Sequence, residues 1–331
     1  MLVLRSGSRW SMGTLETESS IHKAYCESIL QSKKYIYMEC QFFISTRPGS
    51  IVQNKVADSL FQRILRAHEK GEELRVYVVL PLLPAFPGEI TKGNVGKPIQ
   101  TITHWNYLSI SKGANSLLSR LRAAGIQDHS QYINFFSLRT FKRLQRSVVT
   151  ELIYIHSKLM IVDDETVILG SANINDRSLL GTRDSELACV FQDVRNSSHR
   201  VHGKGNFASS LRKRLFREHL GLLKKKRRRH LSAPESESFY ADTWLQTAAS
   251  NTSIYDTVFP VIPTDKARNF RDLEELSEEI PLLVRDPDYA LRLLEDIQGH
   301  LVLFPLRFLE EENLDPPVIT PEGLLPTEVW I

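Results

Sequence analysis

Four runs rich in β-branched and aromatic residues recur along the chain: Tyr35 to Ile44, Arg75 to Leu80, Tyr132 to Leu138 and Ile153 to Val162. Between them lie segments of helical period, Glu18 to Gln31, Ile51 to His68 and Ser116 to Ala124. Strand and helix in alternation predict an α/β fold, a mixed β-sheet flanked by helices on both faces. A chain of 331 residues can bury a substantial core, and no repeat of solenoid period interrupts the pattern. From Trp244 onward the alternation gives way to short helices joined by proline-rich connections such as Leu314-Asp-Pro-Pro-Val318.

The last of the four runs carries chemistry. Read as a strand, Ile153 to Val162 stops at the turn-like cluster Asp163-Asp164-Glu165-Thr166, and Val167 to Leu169 reads as a short strand returning from it. Side chains two apart share a face of a strand, so His156 and Lys158 are expected to project together. The returning strand delivers Gly170, Ser171 and Asn173 to the same end. An imidazole with an ordinary pKa of about 6.5 can serve as nucleophile, acid or base, and a neighbouring lysine supplies positive charge for a phosphoryl oxygen. Ser171 and Asn173 can donate to the same oxygens. Asp163 has opposite strand parity and sits at the turn, where it is expected to tie down backbone rather than touch a substrate. A solvated amphipathic hairpin would account for an isolated His-x-Lys pair, but not for the small and polar groups that follow, Asn175-Asp176-Arg177-Ser178 and Arg183-Asp184-Ser185-Glu186.

His156-x-Lys158-x4-Asp163 with Gly170-Ser-Ala-Asn173-Ile-Asn175-Asp-Arg177-Ser resembles the second signature of the phospholipase D superfamily. The surrounding text is similar to the carboxy-terminal catalytic half of the eukaryotic phosphatidylcholine-hydrolysing enzymes. Trp10 to Glu16, Gln41 to Ser45, Tyr77 to Pro84, Gln298 to Leu301, Phe304 to Leu309 and Glu328 to Trp330 carry that similarity, which is weakest across roughly residues 192–240. It implies a second catalytic half spanning residues 1–331, with its signature in 153–180 and a carboxy-terminal extension over 241–331 packing on the catalytic domain.

The resemblance implies a catalytic set of His156, Lys158, Asp163 and Glu186, with Lys158, Ser171 and Asn173 on the phosphate. Glu186 is either the acceptor that orients the imidazole or one end of a helix-terminal ion pair with Arg183, and Asp184 is the alternative orienter. Gln41, His104 and Trp105 become headgroup or pocket candidates, although core packing is the first explanation for Trp105 and Tyr107. In two-motif members the first motif's histidine attacks phosphorus and the second protonates the leaving alcohol, so His156 is expected to be the general acid and base. The nucleophile is then missing, because the motif occurs once. It is expected from an amino-terminal half in a longer parent chain, or else from a second copy of this chain across a twofold axis. The expected activity is hydrolysis of phosphatidylcholine to phosphatidic acid and choline, with transfer to alcohols. A nuclease of the same superfamily and a non-catalytic, membrane- or GTPase-binding protein are the alternatives. Cys40 stands where the family usually has asparagine, and Ile331 where animal enzymes commonly have threonine.

Charge and cysteines bear on setting. Cys26, Cys40 and Cys189 are few and scattered, as in a reducing compartment, and no stretch approaches the ~20 apolar residues of a membrane span. A cytoplasmic protein, peripheral on the cytosolic face of a phospholipid membrane, is the expectation. Net charge is +3, but Lys224 to Arg229 is an unbroken cationic run, able to attract an anionic leaflet at about 1 kcal/mol per residue. It sits in a segment, 222–240, that reads as a disordered loop because Ser232 to Ser238 is poor in apolar residues. No metal or other cofactor is expected, since His199-x-x-His202 lacks a partner ligand. The resemblance implies phosphoinositide as an activator, small GTPases as partners and no nucleic acid.

Overall fold

The computed structural model describes residues 1–86, 88–90, 97–145, 147–193, 206–224, 231–315 and 325–331. The strands are β1 (Leu2–Gly7), β2 (Glu18–Ser19), β3 (Tyr35–Glu39), β4 (Arg75–Val79), β5 (Ile133–Leu144), β6 (Ser147–Ile153), β7 (Leu159–Val162), β8 (Thr166–Gly170), β9 (Glu186–Gln192) and β10 (Leu301–Leu303). They form one sheet in the order β10-β5-β4-β3-β7-β8-β9-β1-β2, with β6 paired to β5 outside that path. Strands β3, β4 and β5 run parallel, and the remaining pairings are antiparallel.

The helices are α1 (Arg9–Met12), α2 (Ser20–Gln31), α3 (Val56–Lys70), α4 (Lys97–Ile110), α5 (Leu117–Ala123), α6 (Asp176–Leu179), α7 (Phe207–His219), α8 (Glu237–Phe239), α9 (Gln246–Val258), α10 (Phe270–Glu278), α11 (Leu282–Arg285) and α12 (Pro287–Glu295). They cover the sheet on two sides, and the strand period of two sorts the side chains between them. Ile36, Met38, Val76, Val78, Phe135, Met160 and Ile168 pack with residues of α2, α3, α4 and α5. Tyr35, Tyr37, Tyr77, Phe136, Ile161 and Val167 pack on the other side with Ala208, Phe216, Phe239 and Trp244. The mixed sheet with helices on both faces is therefore the observed architecture.

Several boundaries move. The strand expected over Tyr35 to Ile44 ends at Glu39, after which Phe43 makes one isolated parallel bridge to Ile174. The helix expected from Ile51 begins at Val56, because the backbone N–H groups of Gln53 and Asn54 are drawn to the Asp176 carboxylate at 2.7 and 2.8 Å. The strand expected over Ile153 to Val162 is two strands. Its first part is the end of β6, paired to β5, and its second is β7, paired to β3; residues 154–158 between them have no ladder partner. Changing neighbours within one segment breaks the pleat.

The segment 222–240, expected to be a disordered loop, packs on the core in its described parts, residues 222–224 and 231–240. Leu231, Phe239 and Tyr240 are buried, the Tyr77 hydroxyl donates to the Pro234 carbonyl, and Lys34 and Arg75 pair with Glu235 and Glu237. Three apolar anchors outweigh the serine- and glutamate-rich composition around them. Lys225 to Arg229 of the cationic run, and His199 and His202, lie outside the described residues. The segment 241–331 contributes Trp244 to the core and β10 to the sheet. Among the described residues no helix is long and apolar enough to cross a membrane.

Candidate functional site

Strand β3 runs into the motif side by side with β7, and the loop 154–158 crosses its carboxyl end. His156 is exposed there, with its ring nearly parallel to Tyr154 at 6.3 Å between centroids. Lys158, two residues on, is buried, so the two side chains do not share a strand face as the sequence suggested. The Lys158 Nζ donates to Gln41 Oε1 at 2.8 Å and to the His156 carbonyl at 2.7 Å. Gln41 uses its other end to donate to the Tyr154 hydroxyl at 2.8 Å. An ammonium has three N–H donors, so one remains for a ligand. Burial lowers the Lys158 pKa, and the nearby Glu186 carboxylate works against that shift.

The returning hairpin completes the cluster. Gly170 donates its N–H to the Lys158 carbonyl at 3.2 Å, fixing β8 against the motif loop. Ser171 follows, exposed, and its hydroxyl donates to Glu186 Oε2, while Ser178 donates to Glu186 Oε1 at 2.8 Å. Asn173 presents a buried Oδ1 with no hydrogen-bond partner. Asn175 caps α6 by accepting from the Ser178 N–H at 3.0 Å.

The structure separates what the motif spelling groups. Asp163 lies at the far end of β7, with φ of 54°, and accepts the backbone N–H groups of Lys33, Lys34 and Tyr35 at 2.7, 2.8 and 3.0 Å. It ties the entry of β3 to the β7–β8 turn. Glu186 opens β9 and neither pairs with Arg183 nor bonds to the His156 ring, which has no hydrogen bond among the described residues. Asp184 pairs with Arg177 at 2.7 Å instead of an imidazole.

His104 and Trp105 sit on α4. Trp105 is buried with Phe42, Ile44, Val52, Ile102 and Ile331, and His104 stacks edge-on against it at 5.5 Å. Burial lowers the His104 pKa to about 4. Neither shares a hydrogen bond or ring contact with the His156 cluster among the described residues. Cys40 is buried in the core cluster with residues of α2, where burial pushes its thiol pKa up and keeps it protonated. The Ile331 side chain is buried and its carbonyl accepts the Arg177 N–H at 3.1 Å.

Sequence reasoning missed Glu39, Tyr154, Ser157 and Ser178. The signal available for the first three was spacing: Glu39 lies two residues before Gln41, Tyr154 two before His156, and Ser157 is the unspecified residue of His-x-Lys.

Comparison with known proteins gives the arrangement a context. A family profile described as Phospholipase D matches residues 10–151 and 140–238. Phospholipase D1 of Homo sapiens is 46% identical over 99% of this chain and 31% of its own length. Phospholipase D2 of Bos taurus is 47% identical over 99% of the chain and 35% of its own. Phospholipase D zeta 1 of Arabidopsis thaliana is 41% identical over 95% of the chain and 31% of its own. The chain thus spans about a third of the length of these curated relatives. Family profile and site arrangement together place this chain in the phospholipase D family.

Proposed function

We propose that this chain supplies the proton-transfer half of a phospholipase D site, acting on phosphatidylcholine at a membrane surface to give phosphatidic acid and choline. The observation that carries the reading is the exposed His156 imidazole near-parallel to Tyr154, with the Lys158 ammonium bonded to the His156 backbone carbonyl and keeping one N–H for a phosphoryl oxygen. Ser171, just past β8, bonds to Glu186, the carboxylate that acts on Lys158, and Asn173 two residues on keeps an unpartnered Oδ1.

The reaction needs a second histidine, which a half carrying another His-x-Lys-x4-Asp motif would bring. That histidine attacks phosphorus while protonated His156 gives its proton to the departing choline oxygen, leaving a phosphohistidine. Neutral His156 then takes a proton from water, whose oxygen attacks phosphorus and releases phosphatidic acid and the free nucleophile. A primary alcohol in place of water gives a phosphatidylalcohol. Lys158, Ser171 and Asn173 hold the phosphoryl oxygens in both steps, and Asp163 acts through the scaffold. Glu186 holds Ser171 and Ser178 and reinforces the Lys158 charge.

The test is incubation of labelled phosphatidylcholine and a primary alcohol with the chain, alone and mixed with a half carrying the family's first motif. Phosphatidylalcohol is expected only from the mixture, and His156→Asn should lower it by about 10²–10⁴-fold. No product from the mixture, or full product from His156→Asn, would overturn the proposal.

A further inference from the structure

Behind the motif loop lies a buried acid. Glu39 is 7% exposed at the end of β3, among apolar and aromatic neighbours on the Trp244 side of the sheet. Its Oε1 accepts from the Tyr37 hydroxyl at 2.5 Å and lies 3.3 Å from His219 Nε2, which is itself 2.7 Å from the Tyr37 hydroxyl. His219 ends α7 and is 4% exposed. Its backbone carbonyl accepts the His300 backbone N–H at 2.9 Å, which ties the end of α7 to the residue just before β10. Bonds from His219, Ser157 and Tyr37 hold the Glu39 pKa below its ordinary value although burial works the other way.

A buried carboxylate costs several kcal/mol unless bonded on all sides, and nothing in sheet packing requires one here. The second oxygen of Glu39 shows its use: Oε2 accepts from the hydroxyl of Ser157, the residue between His156 and Lys158. Apart from the Gly170 N–H to Lys158 carbonyl bond at its end, the loop 154–158 has no ladder partner, so its side chains must hold it in place. Three side-chain bonds to the end of β3 and the residues just past it do this, Gln41 to Tyr154 and Lys158, and Glu39 to Ser157.

We propose that Glu39, backed by Tyr37 and His219, is a positioning residue for the motif: through Ser157 it sets the direction in which His156 and Lys158 face a phosphodiester. The inference rests on the reading of His156 and Lys158 given above. In a merely structural role the network would stabilise the core and leave the loop indifferent to Ser157.

The experiment pairs a readout on the single chain with one on the mixture. In ¹H–¹⁵N spectra of the imidazoles of the chain alone, Ser157→Ala and Glu39→Gln should each move the His156 signals, and Ser157→Thr, which keeps the hydroxyl, should return them. In the mixture, Ser157→Ala should lower kcat by about 10–100-fold with KM within about twofold, and Ser157→Thr should restore it. His156 signals and kcat unchanged in Ser157→Ala would overturn the proposal, and so would Ser157→Thr behaving like Ser157→Ala. Ser157 is partly exposed, so its variants give the answer even if Glu39→Gln unfolds the chain. A mixture without activity would sink the catalytic reading alone, because the His156 spectra of the single chain still decide the positioning.

Discussion

Asp163 shows what the spelling of a motif conceals. Strand parity in the sequence already separated it from His156 and Lys158, yet the groups it serves, the N–H groups of residues 33–35, lie about 130 residues earlier and were not legible. Its carboxylate holds three donors at the entry of β3, while φ values of 54° and 56° at Asp163 and Asp164 form the tight return to β8. Asp163→Ala strands those donors and should cost roughly 1–3 kcal/mol, read as a lower urea midpoint, with Asn recovering part of the loss. An unchanged midpoint would mean that water replaces the carboxylate. Glu186 teaches the converse. Its position was found from resemblance, but its partners are hydroxyls of Ser171 and Ser178, which no spacing rule singles out.

Among elements, the apolar strands β3, β4 and β7 and helices α2, α3 and α5 were visible because periodicity records burial, and both faces of this sheet are buried. The break at residues 154–158 was not visible, since Tyr-Ile-His-Ser-Lys alternates as well as any strand. Only the change of partner from β5 to β3 ends the ladder, and partners are long-range facts. The site depends on that break, because it frees His156 to face outward while Lys158 turns in. Gly170 guards the next element. A Cβ there would stand 2.3 Å from the Leu187 carbonyl and 2.6 Å from the Ala188 Cα, both backbone atoms of β9. Gly170→Ala should therefore push β8 from β9, cost about 1–3 kcal/mol, and speed exchange of the Ser171 and Leu187 amides. Retained protection at both amides would contradict the close packing.

At the scale of the whole molecule, burial makes the fold sensitive to acid. His22, His104, His129 and His300 all have pKa values lowered chiefly by burial, His104 from 6.5 to about 4. The unfolded chain takes up protons first as pH falls, so this stability is present above pH 6.5 and lost between 6.5 and about 4. Urea midpoints should fall across that window, and His104→Gln should flatten the fall; an equal slope in the variant would remove His104 from the account. The sheet itself carries a further consequence, in time rather than energy. Strand β10 closes the edge of β5, pairing Leu301 with Leu138. On a ribosome, about 160 residues of synthesis separate the two, roughly ten to thirty seconds at ordinary elongation rates. Throughout that interval the edge of β5 waits unpaired, so the nascent chain is most open to wrong strand partners just after its motif has been made.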